Sequence, residues 1–256
     1  MKNTRTLRIL QAAASMLALA AAWQILSYAF PPFLFPPVPA IISRTIEILI
    51  TGSLLFDVLL TAWRIFAGLL GAFIVGGIIA LVIGRSRTAE NFITPVLTFF
   101  QGIPALSWVV FAIIWFHGIE FRVWFIMLMT TLPAFTFQIL DAFRSMSKDL
   151  FEMTMSFRPS RTKLFRYLIV PTILPGILTA WKVNLGNAAR VVVVAELVGA
   201  TGGVGYELLK QQQLFDMAGA MAWTLQLVLF VLVVQQTINV IESWTLRYRA
   251  VSERAM

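Results

Sequence analysis

Residues 152–175 read EMTMSFRPSRTKLFRYLIVPTILP. This is the longest polar stretch in a 256-residue chain that is 59% hydrophobic and only 12% charged. Six basic residues lie in it or just before it: Arg144, Lys148, Arg158, Arg161, Lys163 and Arg166. They are interleaved with Leu150, Phe151, Met153, Met155, Phe157, Leu164 and Phe165, and the stretch ends in an apolar segment carrying Pro171 and Pro175. So little polar surface is wrong for a soluble globule and right for a polytopic membrane protein. A basic, oily loop between apolar segments offers charge and a hydrophobic knob to another protein. Its charge alone would also fit a plain cytoplasmic loop obeying membrane topology.

Working outward, the apolar periodicity predicts an all-α chain with six transmembrane helices in a single domain, over residues 9–30, 64–84, 94–116, 121–140, 168–197 and 217–242, with a cytoplasmic loop over 141–167. The first span also has the basic start and the small residues of a secretory signal, but its apolar run continues through Trp23, Ile25 and Leu26. Pro31, Pro32, Pro36, Pro37 and Pro39 turn the chain, residues 40–50 form an interfacial amphipathic helix, and Ser53 suits the N-cap of the helix that follows. In the second span Gly68, Ala72, Gly76, Ala80 and Gly84 recur every four residues, a small-residue stripe for close helix packing. Pro95 and Pro104 should bend the third span without ending it. Fourteen of the twenty basic residues fall on one set of connections and four on the other, which places both termini in the cytoplasm. The net charge of +8 therefore reads as orientation, not as nucleic-acid binding.

The frame of 152–175 resembles the EAA loop of the membrane subunits of binding-protein-dependent ABC importers of the type I kind. Glu152 opens the motif, Leu164, Phe165 and Arg166 match its middle, and Pro171 and Pro175 its end. Two positions depart from the pattern: the Ala-Ala pair is Met153-Thr154, and the motif glycine is Arg158. QGIPALSW around Pro104 is similar to the family at that depth, and the AEL and GxGY elements from Ala195 to Tyr206 resemble its nitrate, sulfonate and taurine branch. The resemblance implies two short coupling helices that dock on an ATP-hydrolysing subunit through Glu152, Phe157, Arg158, Pro159, Leu164 and Phe165. It also implies two copies of that ATPase, a homodimer of this permease, and an external solute-binding protein in a bacterial inner membrane. Arg158 precedes Pro159, which pushes it away from helical conformation, while Pro159 suits a first helical turn, so the break between the helices can survive without glycine.

Lys182, Asn184 and Arg190 are strongly polar residues within the fifth span and are the candidate pathway residues. Lys182 lies eleven residues beyond Pro171, about 16 Å along a helix, too deep to reach water easily. With no acidic residue in the middle of a span, these charges suggest an anionic solute; alternatively, Lys182 bonds carbonyls freed by the prolines of the third span.

Without cysteine and with a single histidine, His117, thiolate and histidine metal sites are excluded and no cofactor is indicated. No Walker A sequence occurs, so ATP hydrolysis must come from a partner and the chain itself is not an enzyme. The competing function is an ion-driven secondary transporter, for which Glu196 is the sole candidate coupling carboxylate and no internal repeat is found. A membrane enzyme would need clustered acidic or histidine residues, which the sequence lacks.

Overall fold

The computed structural model describes residues 2–245. The chain enters through α1 (Lys2–Ser27), turns at the proline cluster into α2 (Val38–Ile50), and continues as the long α3 (Gly52–Arg85). Next come α4 (Arg87–Gly102), α5 (Ala105–Trp115) and α6 (Ile119–Arg144). Two short helices, α7 (Lys148–Ser156) and α8 (Arg161–Leu164), lead through a π-helical turn (Phe165–Ile169) into α9 (Val170–Leu197). The chain closes with α10 (Val204–Gln213) and α11 (Met217–Thr245). Five of these stretches are long and apolar enough to cross a membrane, and α4 with α5 makes a sixth if the pair is one broken span. The basic tail from Leu246 onward lies outside the described residues.

The core is built by α3, α6 and α9. The small-residue stripe of α3 lies on α6: Gly68 faces Met127, Gly76 faces Leu132 and Thr136, and Gly84 faces Leu140, while Ala72 and Ala80 are buried between them. Residue numbers rise together on both helices, so the two run parallel. A Cβ on Gly68 would stand 2.6 Å from that of Met127, which is why backbone must meet side chain there. Gly176 brings α9 equally close to Ala142 of α6. Phe73, Phe135 and Trp181, one from each helix, form a closed triangle of rings with centroids 5.4–5.6 Å apart.

The remaining elements wrap this block. The Trp23 indole N–H donates to the Pro36 carbonyl and Gln24 accepts from the Val38 amide, tying α1 to the proline turn. Gln226 of α11 donates to the Thr45 carbonyl at 2.7 Å and so holds α2.

Several local expectations are corrected. The third span is not gently bent: α4 and α5 meet at 93° at Ile103-Pro104, whereas Pro95 is carried inside α4 without a break. Pro104 offers no N–H to continue the helix and disfavours helical conformation at Ile103, whose ψ is 124°. Thr51, not Ser53, occupies the N-cap of α3. Pro39 does not prevent α2 but sits in its first turn, where the missing N–H costs nothing. The first span ends at Ser27, short of residue 30, and Tyr28 and Ala29 already turn ahead of the prolines.

Candidate functional site: the protruding loop and the polar face of α9

The loop between α6 and α9 is built by side-chain caps. Ser147 accepts from the Leu150 amide and starts α7, and Ser160 accepts from the Lys163 amide and starts α8. Between them Arg158 adopts φ +49°, a left-handed conformation in which glycine is at ease and arginine is strained. The residue thus stays where the motif glycine would stand, and the extended conformation expected for a residue before proline is corrected. Pro159 is likewise not in a helical turn; it precedes the Ser160 cap. The π turn widens the chain just ahead of Pro171, which brings no N–H to the helix it enters.

The loop keeps its apolar residues in the open. Phe157 is 79% exposed, and Met153, Met155, Leu150 and Phe165 are also exposed. Leu164 and Pro159 are half-buried. Glu152 is exposed, and its carboxylate makes no hydrogen bond or ion pair among the described residues. Since the serines already cap both helix starts, its carboxylate is not spent on the loop itself.

On α9 the three polar candidates separate. Lys182 is ion-paired with Glu242 near the end of α11. This corrects both sequence expectations for it: an acidic partner exists, and it is not a carbonyl of the third span. Asn184 is buried, donating to Gln138 of α6 at 2.7 Å and to the Ala180 carbonyl. Arg190 is exposed, donates through Nε to the Gly186 carbonyl one turn back, and has no acidic partner among the described residues.

At the opposite end of the bundle lies a charge cluster that sequence reasoning missed. Arg64 is buried; its Nη1 donates to Glu196 at 2.8 Å and to the Gly202 carbonyl at 2.8 Å. Its other edge forms a two-pronged pair with Glu120. The Glu196 carboxylate also accepts from the Thr61 hydroxyl and the Gly205 amide, and Asp57 accepts from the Gly203 amide at 2.7 Å. Gly203 has φ +112°, and a Cβ there would lie 2.5 Å from Glu196 Oε1. The glycines of this segment are therefore what allow the chain to fold over the carboxylate. The available signal was Glu196 followed within ten residues by a glycine cluster.

These features define a multi-pass helical membrane subunit with a protruding two-helix loop. Residues 72–244 match the family described as binding-protein-dependent transport system inner membrane component, and the chain belongs to that family. It is an ABC transporter permease of the plasma membrane. A putative ABC transporter permease of Methanocaldococcus jannaschii is 26% identical over 86% of this chain and 85% of its own. The formylaminopyrimidine transport permease ThiX of Halalkalibacterium halodurans is 28% identical over 75% and 76%, and the taurine transport permease TauC of Escherichia coli 25% over 68% and 66%. Among solved structures, an inward-facing MetNI methionine ABC transporter chain superposes with a TM-score of 0.61 at 15% identity, covering 77% of this chain and 99% of that one.

Proposed function

We propose that two copies of this permease enclose a translocation pathway for a small anionic solute of the sulfonate, taurine or nitrate type. An external binding protein delivers the solute, and two copies of a partner ATPase seated on α7–α8 drive its passage. Both termini then face the cytoplasm, in keeping with the distribution of basic residues. The observation that carries the reading is Glu152, exposed and unbonded among the described residues beside the uncovered Phe157 and methionines. That pairing of one free charge with an apolar knob suits a protein cleft.

Arg190, exposed and without a carboxylate, is the residue proposed to meet the anion, with Lys182 next along the same side of α9 and Asn184 fixing α9 against α6. The solute class is supported by the taurine permease among the relatives and by the AEL and GxGY elements. The rival ion-driven reading loses its one carboxylate, because Glu196 is already held by Arg64.

The test is co-purification of the tagged permease from its native membrane, followed by reconstitution with taurine, methanesulfonate and nitrate as probes. ATP-dependent uptake of one of them with an ATPase in the complex is expected. Uptake driven by an ion gradient, without an ATPase, overturns the assignment.

A further inference from the structure

At the end of the bundle that carries α7–α8, the last turn of α3, the start of α4 and the end of α6 line an open cavity of about 360 Å³. Arg85, Arg87 and Arg144 line its polar side with Glu90, and Leu140 and Phe143 line its apolar side. Glu90 is occupied by Arg144, whose Nη2 donates to it at 2.6 Å. Arg85 and Arg87 are exposed and have no acidic partner among the described residues. One carboxylate thus stands against three guanidinium groups.

We propose that this cavity binds the headgroup phosphate of an anionic phospholipid, a role independent of the transported solute. Guanidinium forks match phosphate oxygens, and basic pockets between membrane helices at this depth suit acidic headgroups. The apolar wall favours a lipid over a free phosphate. Exposed Val82 and Phe92, within two helical turns of the arginines, give the acyl chains a surface to lie on. Arg144 and Glu90 already hold α6 against α4, so the phosphate would engage Arg85 and Arg87 without breaking that pair.

The full-length protein in detergent is offered phosphatidylglycerol or phosphatidylcholine, and retained lipid is counted by native mass spectrometry. A preference for phosphatidylglycerol is expected. The double variant Arg85→Gln/Arg87→Gln should reduce it on the order of tenfold or more, since each basic residue at an anionic surface contributes roughly fivefold. Arg85→Lys/Arg87→Lys, which keeps the charge but loses the guanidinium fork, should fall between the wild type and the glutamine variant, and thermal unfolding of each variant verifies the fold. Equal retention of both lipids by the wild type overturns the proposal. So does an unchanged preference in the glutamine variant, or loss of the preference on adding millimolar inorganic phosphate, which would assign a soluble ligand. If the glutamine variant instead sheds a partner ATPase while keeping its lipid preference, the cavity is a protein contact and the proposal fails.

Discussion

Arg64 and Glu196 meet at 2.8 Å between α3 and α9, with side chains only 4% and 0% exposed, so neither charge has water to fall back on. Removing Arg64 strands the Glu196 carboxylate, whereas Arg64 would still keep Glu120. Arg64→Met should cost about 3–5 kcal/mol, while Arg64→Met/Glu196→Met should recover much of that loss. Thermal unfolding in detergent, read beside membrane protein level, checks both. A double variant no better than the single one would mean that the pair is not the dominant interaction at this end.

Glu152 gives the functional counterpart. Glu152→Ala is expected to abolish uptake and release the ATPase while leaving protein level and thermal unfolding unchanged, because the carboxylate holds nothing among the described residues. Undiminished uptake at a normal protein level would remove Glu152 from the coupling contact.

The left-handed Arg158 leads to an unusual expectation for a motif position. Arg158→Gly should preserve uptake and relieve about 1 kcal/mol of backbone strain, whereas Arg158→Val, β-branched at positive φ, should impair coupling. Uptake and ATPase retention should rank the wild type and glycine variant together, above valine.

For the polar face of α9, Arg190→Gln is expected to lower uptake of an anionic solute several-fold with assembly and basal ATP hydrolysis intact. Lys182→Met should act on stability as well, since it leaves Glu242 without its partner; adding Glu242→Gln should restore stability but not transport. Full transport in Arg190→Gln would withdraw the anion assignment.

The small-residue stripe is unequal along its length. Gly68→Ala places a methyl 2.6 Å from Met127 Cβ and should cost about 1–3 kcal/mol, whereas at Gly84 the nearest atom is 3.9 Å away and alanine should be accommodated. Thermal unfolding of the two variants side by side tests the difference.

The small-residue spacing on α3, the prolines after α1 and the motif frame around Glu152 are local patterns, and each could be read directly from the chain. The partners of Lys182 and Arg64 could not, because Glu242 and Glu196 are distant in sequence and nothing local marks either as a counter-ion. The sharp turn at Ile103-Pro104 shows a further limit. Pro95 and Pro104 look alike in sequence, yet only the second interrupts its helix. The break at Arg158 is legible from the motif frame, but its left-handed backbone is not, since the bias before proline is a preference that the surrounding turn overrides.

Both ends of the α7–α8 loop are anchored in one solid piece of the molecule. Its entry hangs from α6 and its exit feeds α9, and those two helices are clamped by the Gly176–Ala142 approach and by the rings of Phe135 and Trp181. A pull on the loop therefore cannot pry α6 from α9. It would reach both at once, like a push on a handle bolted at two points to the same plate.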